Sequence, residues 1–175
     1  EIPVLVTGKS IANATIEVIP QQTYTGNAIT PEVKVYLGGV KLAVGTDVRV
    51  NYTNNTNCGT ATVTVTGIGN YHFLKDGNPL SISTQFTIVP RHIGDSQITM
   101  DAISSMEYDG LAKTPEIHLR FNGRELVKGT DYTLQYSNNI NVGTNTGSVI
   151  ISGAGNFKGM RQERFTITQA DIRGN

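Results

Sequence analysis

The sequence predicts an all-β fold made of two tandem β-sandwich domains. Three observations support this prediction: a long internal repeat, short runs in which apolar and polar residues alternate, and a composition rich in turn-forming residues. The 175 residues include 19 glycines, and only 16% of them are charged. No segment sustains the 3.6-residue apolar period of an amphipathic helix, so helices are not expected.

The repeat relates residues 24–60 to residues 108–144 at a constant offset of 84 residues, and 17 of the 37 aligned positions are identical. After these positions the offset grows by two, so that residues 67–71 match residues 153–157. Chance does not produce this agreement, and the two units are therefore expected to share one fold. The longest shared runs are Thr30-Pro31-Glu32, Gly45-Thr46-Asp47 and Asn54-Asn55-x-Asn57, which recur as Thr114-Pro115-Glu116, Gly129-Thr130-Asp131 and Asn138-Asn139-x-Asn141.

The domain boundaries are predicted from an isoleucine that follows each closing strand by five residues. Ile88 is followed by Ile93, and the same spacing separates Val6 from Ile11 and Ile167 from Ile172. The chain is therefore predicted to come from a longer tandem array. It divides into residues 1–10 (the end of a preceding repeat or a linker), 11–90 (first repeat), 91–168 (second repeat) and 169–175 (a linker or the start of a following repeat).

The strands are predicted in the same order in both units. A short strand opens each unit, four longer strands follow, and turns rich in Gly, Asn and Asp separate them. Six or seven strands in roughly 80 residues are typical of an immunoglobulin-like sandwich. The predicted strands are 16–18, 31–36, 48–52, 60–66 and 83–88 in the first unit, and 98–100, 115–121, 132–136, 148–151 and 163–167 in the second.

Most of the repeated residues have a structural explanation. Asp47 follows Gly-Thr and precedes a strand, where its carboxylate can accept turn N–H groups. Tyr52 ends a strand and can anchor a corner by burying its ring and bonding through its hydroxyl. Asn54 and its neighbours favour Asx turns and tolerate left-handed backbone. The same roles are expected at the matching positions of the second unit.

Composition and motifs argue against catalysis and nucleic-acid binding. The 14 basic and 14 acidic residues cancel, so no basic field attracts nucleic acid. Cys58 is the single cysteine and aligns with Val142, which predicts a buried core thiol rather than a nucleophile or a disulfide. The histidines are scattered, and no paired catalytic carboxylates are recognisable. The sequence predicts no enzyme, no cofactor and no metal, and no apolar run is long enough to span a membrane.

The sequence allows two ways of stabilising a unit, a calcium ion and an isopeptide bond. Asp47 together with Asn54, Asn55 and Asn57 is an oxygen-rich group of the kind that calcium prefers, with turn chemistry as the alternative. An intramolecular isopeptide bond needs a lysine beside an Asn or Asp and a carboxylate in an apolar site. Lys34 and Lys41 have no lysine counterparts in the second unit, so a bond common to both units is not expected.

One segment of the first unit is a candidate binding site. Residues 71–80 form an insertion that the second unit replaces with a shorter stretch, and the insertion brings Tyr71, His72 and Phe73 together. Such a loop can recognise a glycan or a host surface ligand. The alternative is a longer hairpin with an Asp76-Gly77 turn. A recognition loop predicts at least two exposed aromatic side chains, whereas a spacer predicts that they pack into their own unit.

The repeated pattern resembles a known family. Tyr-x-Gly is followed by Thr-Pro, by Gly-Thr-Asp-x-x-x-x-Tyr-x-Asn-Asn-x-Asn-x-Gly-Thr and by Gly-x-Gly-Asn-Tyr/Phe. This order is similar to that of the bacterial immunoglobulin-like (MBG-like) repeats of large secreted and cell-surface proteins of Gram-positive gut anaerobes. The resemblance covers residues 11–168. Departures are Val48, where the pattern and Tyr132 have an aromatic residue, and Cys58, where valine is usual.

The resemblance implies an extracellular role at the bacterial cell wall or in secreted form, without supplying a catalytic or binding residue. The predicted function is a non-catalytic stalk, spacer or adhesin accessory module whose partners are the neighbouring repeats of the same chain. The alternative is a carbohydrate- or host-ligand-binding module that uses the 71–80 insertion.

Overall fold

The computed structural model describes residues 8–171, and within them it confirms the predicted all-β class. Strands account for nearly all of the regular structure, and one turn of 3₁₀ helix, Gly69–Tyr71, is the helical element of this described part. The chain divides into two compact units, with unit 1 ending at Val89 and unit 2 beginning at Pro90. No helix among residues 8–171 is long and apolar enough to cross a membrane. The predictions for Val6 and Ile172 lie outside the described residues.

Unit 1 contains a three-stranded sheet in the order β1-β3-β4, a four-stranded sheet in the order β2-β9-β6-β5, and a β7-β8 hairpin. All pairs are antiparallel except β2 with β9. The strands are β1 (Thr15–Ile16), β2 (Gln22–Thr23), β3 (Val35–Leu37), β4 (Val40–Leu42), β5 (Val48–Thr53), β6 (Gly59–Gly67), β7 (Leu74–Lys75), β8 (Asn78–Pro79) and β9 (Ser81–Val89).

Unit 2 repeats both larger sheets, in the orders β11-β13-β14 and β12-β18-β16-β15, and adds the parallel pair β10-β17. The strands are β10 (Arg91–His92), β11 (Ile98–Met100), β12 (Met106–Glu107), β13 (Leu119–Phe121), β14 (Arg124–Glu125), β15 (Tyr132–Ser137), β16 (Gly143–Gly153), β17 (Phe157–Lys158) and β18 (Met160–Thr168).

The two-residue change in the repeat offset is a β-bulge. In unit 1, β6 pairs with β9 without interruption from Gly59 to Thr66. In unit 2, the pairing of β16 with β18 shifts between Gly143 and Gly147. Asn145 lies inside this bulge with a φ of 55°, a left-handed conformation that asparagine tolerates better than most residues. The extra residues therefore leave the pairing on both sides of the bulge intact.

Each unit buries alternate residues of its own strands in its own core. In β6, Ala61, Val63 and Val65 are buried and the threonines between them are half-buried. This pattern agrees with the period of two for a strand with one face on the core. The most completely buried large side chains are Ile11, Val35, Leu42, Val48, Val63, Val65 and Ile88 in unit 1, and Ile93, Leu119, Ile151, Phe165 and Ile167 in unit 2.

The predicted 31–36 and 115–121 strands are wrong in extent. Regular pairing begins only at Val35 and Leu119, although Val33 and Ile117 are already buried. Each stretch begins with a proline, which has no N–H to donate to a ladder. The carbonyls of Pro31 and Pro115 instead accept side-chain hydrogen bonds. The opening strand of unit 1 is also shorter than predicted, and Val18 lies exposed beyond its end.

Candidate functional site

The repeated tyrosines act as the predicted corner anchors. The Tyr52 hydroxyl donates to the Pro31 carbonyl at 2.5 Å, and Tyr136 donates to Pro115 at the same distance. Both rings are half-buried, and burial raises the pKa of each phenol above its usual value. Each bond ties the end of a sheet strand to the Thr-Pro-Glu segment 21 residues earlier. The tyrosines are therefore occupied with holding the fold.

The asparagine loops form a second shared anchor. The Asn55 side-chain amide donates to the Ile29 carbonyl at 3.0 Å, while the Ile29 N–H donates to the Asn55 carbonyl at 2.8 Å. Asn139 makes the same pair of bonds with Lys113. Asn54 and Asn138 have φ angles of 55° and 52°, which confirms the left-handed positions expected there.

The repeated aspartates accept turn N–H groups, as predicted. Asp47 Oδ2 accepts from the Ala43 N–H at 2.8 Å, and Asp131 Oδ2 accepts from the Val127 N–H at 2.9 Å. Asp131 also contacts the Arg124 guanidinium at 3.2 Å. Among residues 8–171, no three His, Cys, Asp or Glu side chains converge as metal ligands. Within the group considered for calcium, Asp47 accepts a turn N–H and Asn55 bridges to Ile29.

The lysines considered for an isopeptide bond lie on the surface and form ion pairs. Lys34 Nζ is 3.1 Å from Glu17 Oε1, and Lys41 Nζ is 3.8 Å from Glu32 Oε1. The hydrogen bond to Glu17 raises the pKa of Lys34. Isopeptide formation needs an apolar site, and the exposure of both side chains does not supply one.

His118 replaces Lys34 in unit 2 and lies between two carboxylates. Its Nδ1 is 2.6 Å from Glu125 Oε1, and its Nε2 is 3.7 Å from Glu116 Oε2. The hydrogen bond to Glu125 raises the pKa of His118 above its usual value. Nearby, Arg120 contacts Asp101 at 2.7 Å and lowers the pKa of that carboxyl. The surface of unit 2 therefore carries an ionisable cluster where unit 1 carries lysine pairs.

The prediction of a buried thiol at Cys58 is wrong. Cys58 is half-buried, and its counterpart Val142 is 43% exposed. Both residues end the asparagine loop, one position before a strand of the four-stranded sheet begins. An apolar residue at this position therefore does not mark the core.

The 71–80 insertion is a short hairpin, and its turn is the one that the alternative interpretation expected. Asp76 and Gly77 have φ angles of 52° and 80°, and they connect β7 to β8. Positive φ angles at both central positions of the turn fit a type I′ turn. All six residues of Leu74–Pro79 are exposed, with Leu74 at 52%.

The three aromatic candidates of the insertion differ in exposure. His72 is exposed, whereas Tyr71 and Phe73 are each half-buried. Tyr71 ends the 3₁₀ turn, and the Phe73 carbonyl accepts the Leu80 N–H at 2.9 Å across the base of the hairpin. The other two histidines, His92 and His118, lie in unit 2. The structure thus places Tyr71, His72 and Phe73 at the base of the hairpin and exposes one of the three rings, fewer than the two that a recognition loop predicts.

A cleft that occurs in both units was missed at the sequence level. In unit 1 it lies between β4 and β5, which are the edge strands of their two sheets, and has a volume of about 680 Å³. Its lining includes Thr30, Pro31, Glu32, Val33, Lys41, Leu42, Val44, Val50 and Tyr52. The matching positions of unit 2 line a cleft of about 310 Å³.

The lining of the unit 2 cleft includes an aromatic ring that the unit 1 cleft lacks. Tyr132 is 3% exposed, lines the cleft and donates its hydroxyl to the Ile117 carbonyl at 2.7 Å. Val48 holds the same position in unit 1, where it is fully buried and does not line the cleft. The sequence does show that Val48 replaces the aromatic residue of the repeated pattern. Only the structure shows that this position is related to a cleft.

Comparison with known proteins gives no family assignment. No protein-family model matches the chain, and no curated protein is similar to it in sequence.

Proposed function

We propose that the chain is a non-catalytic tandem segment of a bacterial cell-surface or secreted protein, acting as a stalk, a spacer or an adhesion accessory module. We infer further that the two sheets of each unit pack as an immunoglobulin-like sandwich. The resemblance to bacterial immunoglobulin-like repeats supports the extracellular setting. The shared anchors support a repeated unit, because the residues common to both units hold turns and corners.

The observation that carries the spacer proposal is the short junction between the units. Strand β9 ends at Val89 and β10 begins at Arg91, so Pro90 alone separates them. Residues 89–92 are therefore strand except at Pro90. The pyrrolidine ring of Pro90 fixes φ and removes a donor, which limits the conformations of this joint. A spacer needs such limited freedom, because a flexible linker shortens the average reach of the chain.

Both sides of the junction are held within their own units. The Val89 carbonyl accepts the Tyr24 N–H at 2.9 Å in unit 1. In unit 2, Arg91 donates its N–H to the Asn156 carbonyl at 3.1 Å, and its guanidinium contacts Asp95 at 2.7 Å. The same guanidinium lies 5.0 Å from the centre of the Phe121 ring.

Pulsed electron paramagnetic resonance tests the spacer proposal. The experiment attaches one spin label to each unit, at the exposed positions Val18 (87%) and Leu111 (68%), in a Cys58→Val background. We expect a narrow distribution of distances that broadens when Gly-Ser-Gly-Ser is inserted after Pro90. Pro90→Gly should give an intermediate width. A parent distribution as broad as that of the insertion variant would refute the spacer proposal.

The second candidate function is glycan or host-ligand binding by the insertion. The exposed Leu74–Pro79 hairpin, which unit 2 lacks, and the exposed His72 at its base favour this alternative. A glycan array and a polysaccharide pulldown of the parent and of a chain lacking residues 72–80 test it. Binding that the deletion abolishes would support this candidate. An absence of binding across the panel, or binding that survives the deletion, would reject the insertion as the site.

A further inference from the structure

We propose that the cleft of unit 1 binds a tyrosine side chain presented by another polypeptide. Unit 2 provides the template within the same chain, because Tyr132 lines its own, smaller copy of this cleft and bonds the Ile117 carbonyl there. Unit 1 keeps the cleft and lacks the ring. This inference concerns the cleft between β4 and β5 and is independent of the insertion.

The floor of the cleft is suited to an aromatic ring. Val33 and Leu42 are already buried, at 5% and 1% exposure, and Val44 (54% exposed), Val50 and Tyr52 supply the apolar lining that still meets water. A bound ring would remove this remaining apolar surface from water, which is the main favourable contribution to binding a ring of this size. The volume of about 680 Å³ falls within the usual range of ligand pockets.

We assign the Val33 carbonyl as the acceptor for the phenol hydroxyl. In unit 2 the Tyr132 hydroxyl donates to the carbonyl of Ile117. Val33 is the residue of unit 1 that matches Ile117, and it lines the cleft. Val48, which matches Tyr132, has no hydroxyl that could donate to the Val33 carbonyl. An incoming tyrosine can therefore repeat the bond that unit 2 makes internally. A phenylalanine would bury the same ring without it.

The rim of the cleft favours a tyrosine within a peptide over a free phenol. Glu32 and Lys41 lie on the rim 3.8 Å apart and provide an acceptor and a donor for peptide groups. The cleft also runs between β4 and β5, and an edge strand leaves one row of backbone N–H and C=O groups outside the ladder. Residues flanking a bound tyrosine can pair with these groups.

The test is an NMR titration of the complete chain with the end-blocked peptide Gly-Gly-Tyr-Gly-Gly. We expect shifts at the amides of Val33, Leu42 and Val50 and none at their unit 2 counterparts. The matched Phe peptide should bind roughly 2- to 10-fold more weakly, which is the range for one lost hydrogen bond. p-Cresol should bind more weakly than the Tyr peptide, because flanking residues contribute.

Val48→Tyr is the blocking variant, and unit 2 already accommodates tyrosine at the equivalent position. It should abolish the shifts at the cleft. Val44→Lys, which copies Lys128 onto the exposed rim, should weaken binding without altering the core and serves if Val48→Tyr folds poorly. Tyr132→Val should open a second site near Ile117. Tyr-peptide binding that survives Val48→Tyr, equal affinity for the Phe peptide, equal affinity for p-cresol or an absence of shifts at the cleft would each overturn the proposal.

Discussion

Units 1 and 2 share their backbone anchors and differ in what surrounds them. Both use a tyrosine-to-proline bond, an asparagine bridge and an aspartate-capped turn at matching positions. They differ in the Val48/Tyr132 pair, in the bulge of unit 2 and in the hairpin of unit 1. The residues that both units share therefore hold the main chain in place. The differences alter clefts and surfaces.

The largest expected effect comes from removing the matching core aromatics. Phe165 and Phe86 are buried at 1% and 3% exposure. Phe165→Ala should lower the free energy of unfolding of unit 2 by about 3–5 kcal/mol, because it leaves a cavity. Differential scanning calorimetry should then show an early transition for unit 2 and an unchanged one for unit 1, and Phe86→Ala should reverse the pattern. Equal shifts in both transitions would contradict the view of self-contained cores.

The residues that pair with these two phenylalanines differ between the units, and substituting them should change the stability of each unit for a different reason. Gly147 pairs with Phe165, whereas Ala61 pairs with Phe86. A Cβ on Gly147 would collide with the Phe165 ring, so Gly147→Ala should destabilise unit 2 by about 1–3 kcal/mol. Ala61→Gly in unit 1 should cost about 1 kcal/mol through lost packing and chain entropy. Chemical denaturation measures both, and a stabilising Gly147→Ala would be inconsistent with the close packing of Gly147 on the Phe165 ring.

The two corner anchors should have similar and smaller effects. Tyr52→Phe and Tyr136→Phe each remove a hydroxyl and leave a proline carbonyl without that donor. Each should cost about 1 kcal/mol in the unit that carries it. Urea denaturation of both variants checks this, with Tyr108→Phe, an exposed position, as the control. A loss of stability in one unit and none in the other would show that the tyrosine anchor has different roles in the two units.

The smallest predicted effect is a pH dependence confined to unit 2. The pKa of His118 is raised by its bond to Glu125, so its stabilising contribution is complete below the unfolded value near 6.5. The contribution of His118 to stability is lost as the pH rises through its raised pKa in the folded state. The equivalent Lys34 of unit 1 has a pKa raised from 10.5 and stays charged in this window. An NMR titration of the imidazole measures the effect, and Glu125→Gln should return the pKa of His118 toward 6.5.

The positions of most strands along the chain and the roles of the anchors could be predicted from the sequence, because they depend on local patterns. Period-two alternation marked β5 and β15 almost to their ends, and the roles of Asp47, Tyr52 and Asn54 follow from the turn chemistry of their residue types. Strands predicted to begin at a proline were placed too early. Pairing depends on which N–H groups meet a partner, and the sequence of one strand does not show this.

The cleft and the burial of Cys58 could not be predicted in the same way. The volume of the cleft depends on how β4, β5 and the Thr-Pro-Glu segment converge, and these are separated along the chain. The alignment of Cys58 with Val142 indicated an apolar position, but the loop end holds both residues partly in solvent. Residue type reports the preference for burial, and topology decides whether it is met.

The rigidity of the Val89-Pro90-Arg91 junction is the central claim of the spacer proposal. Backbone ¹⁵N relaxation of the complete chain tests it directly by measuring how fast each unit tumbles. If the junction allows few conformations, both units should share one rotational correlation time, that of a body of 18.9 kDa. Inserting Gly-Ser-Gly-Ser after Pro90 should then separate the correlation times of the two units. Units that tumble independently in the parent chain would contradict the claim.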